Sequence, residues 1–489
     1  MMKRLMTSVA AVIAVSGCGN GNLPGSSSTT TSNESRAAQS QALPDGVLQQ
    51  IADLRKELGL RSDLVYVGTL YRDPASLSAI TSGARTGDLT VTAAEQAKLK
   101  QRVLLQELAV DLAPTAIALA GERFAGVTLD TEPGGDTVLR VRLTGEADEA
   151  FEGRLLGAAP TDLRTLIQVA YVPNSLADLR SLQVRLAQQL ETNGDAALRI
   201  VASEVDERAN VVVLFAEGDV AGLQAFVAHT NLAGQVRVEA FGAANVNLLG
   251  YDKADLLPQG VIEGGLQLDR LRNGQDDGRC STGFAVRGPN ADFVLTAGHC
   301  YHQGTQYLQG GKEVGDVADH VLGPDFDVML LDTSRSRITN GGVHRTTDDW
   351  AAAITGVVAA DADVPGSIVC QAGPASNGTT GGLVAGGRCG VIQSRFHDPG
   401  ARYSASFRRA SYVAEPGDSG APVWMDRSAG GLAEGLVMGC LAPVSVGADG
   451  ATVCEAGGAA PACRCRPGFQ LFSHLPTVLN AFELTLDPY

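Results

Sequence analysis

The sequence has little charge, and most of that charge is negative. Charged residues make up 19% of the 489 positions, with 38 Lys and Arg against 54 Asp and Glu, which gives a net charge of −16. An acidic surface repels phosphate backbones, so nucleic-acid binding is disfavoured. Together with 58 glycines, the low charge favours a β-rich enzyme with tight turns over a helical bundle or a disordered chain.

Cysteine is absent from residues 19–279, although the chain contains nine cysteines. Apart from Cys18, all of them follow residue 279: Cys280, Cys300, Cys370, Cys389, Cys440, Cys454, Cys463 and Cys465. An even number confined to one segment of an exported chain indicates disulfides. The sequence has no CxxC pair and no HxxxH, so we expect no metal site. The chain therefore has two physically different halves.

The apolar run near the N-terminus, residues 5–15, is too short to span a membrane and is typical of an export signal. Ser16-Gly17-Cys18 follows it and resembles a bacterial lipobox. We therefore expect residues 1–18 to be a lipoprotein-type signal that ends at an acylated Cys18, with an ordinary signal as the alternative. Residues 19–44 are rich in Ser, Thr and Gly and are expected to form a flexible tether. By resemblance, Gly19 after the cysteine favours the outer membrane.

Residues 45–250 contain the helical and hairpin patterns of the first half. Helical periodicity predicts helices over 46–58, 93–112 and 176–190. Alternating apolar runs around polar turns predict two hairpins, 124–130 with 137–143 and 198–205 with 210–215. This order predicts an α+β region of two lobes, about 45–150 and 160–240. It contains no catalytic constellation.

The second half carries three motifs that together predict nucleophilic catalysis. His299 lies in Thr-Ala-Gly-His-Cys after a short strand, Asp327 opens the buried run 327–331, and Ser419 lies in Glu-Pro-Gly-Asp-Ser-Gly. A serine hydroxyl needs a base, an imidazole is one near neutral pH, and a buried carboxylate fixes its tautomer. The backbone N–H groups of Gly417 and Ser419 are expected to form the oxyanion hole. No metal or cofactor is needed for this chemistry.

The TAGHC, DVMLL and EPGDSG segments, in the order His, Asp, Ser, resemble the chymotrypsin family of serine peptidases. Residues 280–284, 369–373, 389–390 and 414–420 narrow the resemblance to the bacterial branch of streptogrisins and α-lytic protease. It covers residues 262–489 and implies a mainly β domain of two six-stranded antiparallel barrels with the triad between them. The segment 469–484 looks like the closing helix of that branch. In the streptogrisin register Asp325 competes with Asp327 as the triad acid.

The first half resembles the pro-regions of this branch, notably at residues 122–127 and 201–214. The resemblance implies a segment that assists folding of the protease and inhibits it until the chain is cut between about 243 and 264. All-β barrels depend on non-local contacts and fold slowly, which gives a physical reason for a folding aid. The alternative is a permanent accessory or substrate-binding domain.

The resemblance also implies disulfides Cys280–Cys300 and Cys370–Cys389. The family has a cysteine shortly before the nucleophile where this chain has Val413. Three pairings of the last four cysteines therefore stay open. In the pocket wall 435–440, Met438 and Cys440 replace small residues. The backbone of Met438 and Gly439 is expected to pair with an extended substrate, and the preferred side chain is expected to be small or apolar.

These observations predict a secreted or cell-envelope serine endopeptidase that acts on peptides or proteins through an acyl-enzyme. It is expected to be a monomer whose partner is its own pro-region and whose membrane contact is only through the lipidated N-terminus. The mature protease would then be released to the periplasm or outside. The alternatives are a protease-like binding module with an impaired site, or a protein whose function lies in its N-terminal region.

Overall fold

The structure, a computed structural model, describes most of the chain beyond residue 44. The described residues are 45–72, 89, 91–132, 135–192, 198–229, 232–240, 244–248, 262–322, 326–333, 339–344, 351–360, 362–374, 388–398, 403–412, 414, 417–425, 427, 430–446, 452–454 and 469–487. The predicted signal with Cys18, the tether and most of the predicted processing region lie outside these residues.

Helices and strands alternate through residues 45–248. The helices are α1 (Asp45–Glu57), α2 (Leu64–Arg72), α3 (Ala93–Ala120), α4 (Glu149–Ala158), α5 (Leu176–Thr192) and α6 (Val220–Ala228). The strands are β1 (Phe124–Thr131), β2 (Thr137–Thr144), β3 (Ile167–Val172), β4 (Leu198–Asp206), β5 (Val211–Gly218), β6 (Val236–Ala240) and β7 (Ala244–Leu248). Short 3-10 turns lie at Gly121–Arg123 and Arg164–Leu166. The predicted helices and both predicted hairpins are confirmed, and α3 extends beyond its predicted end.

Helix α3 begins at a capping box. The Thr92 hydroxyl accepts a hydrogen bond from the backbone N of Glu95, and the Glu95 carboxylate accepts one from the backbone N of Thr92 at 2.9 Å, which satisfies N–H groups that the first turn leaves open. By length and composition alone, the segment 93–123 also qualifies as a membrane-spanning helix. In this fold its buried face packs on the sheet β1-β2-β3.

A second sheet of the first half is built from the later hairpin. Strands β4 and β5 pair antiparallel, and β6 adds to β5 in parallel. Leucines and valines of α5, α6 and these strands form one buried cluster. The two layers, sheet and helices, bury the apolar faces that the sequence pattern predicted.

Residues 262–487 are almost entirely strands. The first group is β8 (Ile262–Gly264), β9 (Gln267–Arg272), β10 (Gln275–Ser281), β11 (Ala285–Arg287), β12 (Asp292–Thr296), β13 (Thr305–Gln309), β14 (Lys312–Glu313), β15 (Asp316–Leu322) and β16 (Asp327–Asp332), with a 3-10 turn at Gly298–Cys300. The second group is β17 (Thr339–His344), β18 (Ala351–Val357), β19 (Ile368–Gln371), β20 (Arg388–Asp398), β21 (Tyr403–Ala410), β22 (Pro422–Met425), β23 (Gly431–Val446), β24 (Thr452–Cys454), β25 (Gln470–His474) and β26 (Thr485–Leu486), with helix α7 (Leu475–Ala481) before β26.

The first group forms two antiparallel sheets around a shared core. One has the order β10-β9-β13-β14 and the other β15-β16-β12-β11-β26. Leu268, Tyr307, Val294 and Met329, from both sheets, belong to the same buried cluster. This core supports the end of β12, which leads into the turn that carries His299, and the start of β16, which carries Asp327.

Six strands of the second group close on themselves into a barrel. In the order β19, β20, β21, β25, β23 and β22, each strand pairs antiparallel with the next, and β22 returns to β19. Val369, Ile392, Val423 and Phe472 lie in its buried cluster. The predicted mainly β class is confirmed, and so is one of the two predicted six-stranded antiparallel barrels. In place of the other barrel, the described residues of the first group form sheets of four and five strands.

The C-terminal segment differs from the predicted closing helix. Gln470–His474 is a strand, and the helix spans only Leu475–Ala481. The reason is the barrel: the backbone of β25 bridges β21 and β23, so these five residues are needed as a strand. Pro476, in the first turn of α7, suits a helix start.

Strands from the first half pair with strands of the second. β4 pairs antiparallel with β20, and β7 pairs antiparallel with β23. The first half therefore extends the sheets of the second at two separate edges, and residues 42–489 form one compact unit.

Candidate active site

His299 lies on the 3-10 turn that follows β12. The preceding Gly298 packs so closely on the carbonyl oxygens of Val321 and Val328 that a Cβ there would collide with both. Glycine at this position lets the turn lie on the end of β16. This close approach brings the imidazole over Asp327, the first residue of β16.

Asp327 accepts two hydrogen bonds from the histidine. The backbone N of His299 donates to Oδ1 at 2.7 Å, and Nδ1 lies 2.6 Å from Oδ2. The Asp327 carboxylate is fully buried, and the imidazole is 9% exposed. Because a carboxylate can only accept, Nδ1 carries the proton and Nε2 is left as an acceptor.

Ser419 completes the line of contacts. Its Oγ lies 2.9 Å from Nε2 of His299, so its hydroxyl proton points to the free lone pair of the imidazole. The structure thus brings together all three predicted side chains, from two strand ends and one turn. Asp325, the competing acid, lies outside the described residues.

The turn at Ser419 depends on glycine. Gly417 has φ +104° and Gly420 has φ +85°, a region that side chains other than glycine rarely adopt. The backbone N of Ala421 donates to the carbonyl of Asp418 at 2.8 Å. Because N–H and C=O of one planar peptide point in opposite directions, this bond turns the N–H of Ser419 to the other side of the turn.

One disulfide lies beside the site, and another lies in the six-stranded barrel. Cys280–Cys300 ties the end of β10 to the residue after His299. Cys370–Cys389 joins directly opposite residues of β19 and β20. Both pairs are those that the family resemblance implied, and disulfides are compatible with export. Cys440 is also disulfide-bonded.

The sequence of this chain is similar to that of a known protease. Serine protease 2 from Streptomyces fradiae is 31% identical over 162 residues, which cover 32% of this chain and 87% of that protein. The chain belongs to the bacterial chymotrypsin-like serine proteases. It is a serine endopeptidase, and its substrates are peptides or proteins.

Two solved structures of other proteases are also similar to this protease. Thermobifida fusca Protease A has 25% identity over 47% of this chain and 100% of that one, with a TM-score of 0.32. Nocardiopsis Protease has 26% identity over 46% of this chain and 98% of that one, also with a TM-score of 0.32. No protein-family model matches the chain.

The predicted pocket wall of the protease lies on β23 and is covered by the first half. Met438 is fully buried and packs in one cluster with Ala202 and Phe215. Gly439 pairs with Leu471 of β25 on one side and with Leu248 of β7 on the other. The edge expected to receive substrate therefore holds a strand of the same chain.

A buried ionic cluster of the second barrel was not predicted from the sequence. Asp363, Glu434 and His474 place their donor atoms within 4.8 Å of one another, an arrangement of ligand types that a metal ion can use. Arg408 donates to Asp363, and Arg395 does so at 3.1 Å. Arg395 and Arg408 hold the pKa of Asp363 below its ordinary value despite its burial. We interpret the cluster as an internal ion-pair network, since two guanidinium groups already neutralise its charge.

Proposed function

We propose that this protease cleaves peptide bonds through an acyl-enzyme, with Ser419 as nucleophile, His299 as base and Asp327 as the carboxylate that orients it. The observation that carries the proposal is the unbroken line of hydrogen bonds from Asp327 through His299 to Ser419. A hydroxyl, an imidazole and a buried carboxylate in this order form a Ser-His-Asp triad.

The reaction follows from the protonation states. His299 Nε2 takes the proton of Ser419 as Oγ attacks the peptide carbonyl, and Asp327 stabilises the imidazolium that forms. The N–H groups of Gly417 and Ser419 bind the oxyanion. His299 then protonates the leaving amine, and water releases the acyl group by the same steps in reverse.

The test is removal of the nucleophile. Ser419→Ala should abolish peptide hydrolysis and covalent labelling by a fluorophosphonate. Ser367→Ala is the matched control, because Ser367 is also fully buried and its Oγ has no hydrogen-bond partner among the described residues. Labelling of the Ser419→Ala variant at the parent rate would show that the nucleophile lies elsewhere.

We further propose that residues 45–250 are a pro-region that assists folding of residues 262–489. Support comes from the pairing of β4 with β20, where Glu204 is the central contact. Glu204 accepts from Arg409 Nε at 2.7 Å, from Arg409 Nη2 at 2.9 Å and from Ser394 Oγ at 2.5 Å. Such a two-bond guanidinium–carboxylate pair fixes orientation as well as distance.

A second group of contacts supports the same proposal at helix α3. The side chain of Gln106 accepts from the backbone N of Ile368 at 2.6 Å and donates to its carbonyl at 3.2 Å. Arg102 donates to the carbonyl of Gly366 at 2.5 Å. These bonds hold the start of β19, one of the six barrel strands, so the first half directly contacts the barrel that it is proposed to help fold.

Strand β7 is the proposed inhibitory segment. Its backbone pairs antiparallel with Gly439 to Pro443 of β23, as an extended substrate would. The cut within 243–264 is then expected after Leu248, where the paired strand ends. We propose that the precursor is exported and, through Cys18, anchored to the outer membrane. The cut then leaves the lipid on the pro-region, and a monomeric protease is released once the pro-region dissociates.

Expression of 262–489 with and without 45–250 tests the pro-region. Activity that requires co-expression, but not permanent attachment, supports a pro-region, and a peptidase that is fully active without it contradicts the proposal. The N-terminus of the active species, read by mass spectrometry, locates the cut. Recovery of active protease only in the membrane fraction would contradict release from the lipid.

A further inference from the structure

Ser473 lies on β25 of the second barrel and reaches across to the acid on the first group of strands. Its fully buried Oγ accepts from the backbone N of Asp327 at 3.1 Å and donates to the carbonyl of Asp327 at 3.2 Å. One hydroxyl therefore satisfies both backbone groups of the residue that holds the imidazole.

The position of Asp327 at the start of β16 explains why a hydroxyl is needed. On one side Asp327 pairs with Leu322 of β15, but on the other side the pairing with β12 begins only at Met329. Beyond the end of β12 the backbone of Asp327 has no strand neighbour there. Buried backbone N–H and C=O groups require partners, and Ser473 takes the place of the missing strand.

A second hydroxyl, on the first group of strands, bonds to the turn that carries Ser419. Ser281 ends β10 of the first group, and its fully buried Oγ donates to the carbonyl of Gly417 at 2.8 Å. Its backbone N donates to the carbonyl of Ser419 at 2.7 Å. Thr296, three residues before His299, donates to the Ser281 carbonyl at 2.7 Å. The nucleophile turn is thus attached to the strands that carry the histidine.

We propose that Ser281 and Ser473 are reciprocal positioning residues, each borne by one group of strands and bonded to the reactive segment of the other. Ser473 sets where the Asp327 carboxylate meets His299, and Ser281 sets where the Ser419 turn meets Nε2. The inference rests on the proposed triad. Since a shift of about 1 Å in a catalytic group costs about a hundredfold in rate, two such bonds are enough to affect catalysis strongly.

Removal of the Ser473 hydroxyl and removal of the Ser281 hydroxyl should change the kinetics in different ways. Without Ser473 the carboxylate moves relative to Nδ1 and stabilises the imidazolium less. Ser473→Ala should therefore lower kcat about 10- to 100-fold with little change in KM, and move the acidic limb of the pH profile to lower pH. Ser281→Ala should lower kcat and leave that limb in place, because the His299–Asp327 pair is untouched.

The experiment uses the full-length chain, processed as it is in the parent. For each variant kcat, KM and the pH profile are measured with an apolar peptide p-nitroanilide, and the rate of fluorophosphonate labelling is measured across the same pH range. Labelling reports on Ser419 and His299 without depending on peptide recognition. Ser473→Thr keeps the hydroxyl and should recover most of the lost kcat, and Ser367→Ala should stay within about twofold of the parent.

The outcomes separate this inference from the proposed function. A parent enzyme that fluorophosphonate does not label contradicts the triad itself. A labelled parent combined with a Ser473→Ala variant of unchanged kcat and unchanged pH profile overturns the positioning role. Ser473→Thr that is no better than Ser473→Ala also overturns it. If Ser473→Ala yields no folded protein, the isosteric Ser473→Cys, a weak hydrogen-bond donor, takes its place with the same criteria.

Discussion

The buried imidazole of His474 should contribute a loss of stability in mild acid. Burial, with Arg408 nearby, lowers the pKa of His474 to about 3. Its ring contacts Thr477 Oγ1 at 3.0 Å, and it is 1% exposed. In the unfolded chain the ordinary pKa of 6.5 returns, so the unfolded state takes up a proton that the native state refuses.

The sign and size follow from linkage. A base with a lowered folded pKa contributes stability that is complete above pH 6.5 and is lost as the pH falls towards 3. A pH of 5 lies about 1.5 units below the pKa of the imidazole in the unfolded chain. At 1.36 kcal/mol per unit, the free energy of unfolding is therefore lower by roughly 2 kcal/mol at pH 5 than at pH 8. Burial also raises the pKa of Glu434 well above its ordinary value, which acts with the opposite sign. Only a comparison of variants isolates the histidine.

The assay is urea unfolding at pH 8 and pH 5 in a Ser419→Ala background, which prevents self-digestion, with reversibility checked by refolding. The comparison variant is His474→Asn, since asparagine does not titrate and is a favoured residue at a helix start. The variant is expected to be less stable than its parent at pH 8. Between pH 8 and pH 5 it should lose about 2 kcal/mol less free energy of unfolding than the parent. An equal loss in both proteins would refute the reasoning.

Two more substitutions address the acid and the interface between the halves. Asp327→Asn should lower kcat about ten-thousandfold, because an amide cannot hold the histidine tautomer. Asp325→Asn should change kcat less than about threefold. Equal effects of the two substitutions, measured on the same peptide p-nitroanilide, would contradict the assignment of the acid. Glu204→Gln should weaken inhibition by added 45–250 by about 2 kcal/mol, since it leaves the partly buried Arg409 with a poorer partner. The control is Arg237→Gln, because the Arg237 side chain is 43% exposed. This variant should change the free energy of inhibition by less than about 1 kcal/mol. An inhibition constant that Glu204→Gln leaves unchanged would argue against the contact.

The sequence predicted the residues whose chemistry cannot be replaced. An imidazole after a strand, an acid that opens a buried strand and a serine among glycines each depend on local chain geometry. The alternation after Asp327 also favours it over Asp325 without knowledge of any contact, and Asp327 is the one that meets His299. Ser281 lies inside one of the segments that carry the family resemblance, but nothing local indicates that its hydroxyl bonds to Gly417.

Residues that act through long-range packing could not be predicted in this way. Ser473 has no motif around it, and its role depends on how β25 meets the start of β16. The family resemblance implied a helix for the same stretch, and a short apolar run has no periodicity that would have separated a strand from a helix. The cluster of Asp363, Glu434 and His474 comes from three elements far apart in sequence, so no spacing rule could reveal it.

The two pairings between the halves have the same consequence for activation. A cut after Leu248 breaks the chain between β7 and β8, but it leaves β7 paired with β23, β4 paired with β20 and Glu204 bonded to Arg409. Backbone pairing and a partly buried ion pair do not depend on chain continuity between 249 and 261. Cleavage alone is therefore not expected to free the protease; the proposed pro-region must also dissociate or be degraded. Activity that appears at the moment of cleavage, while both fragments still migrate together, would contradict this order of events.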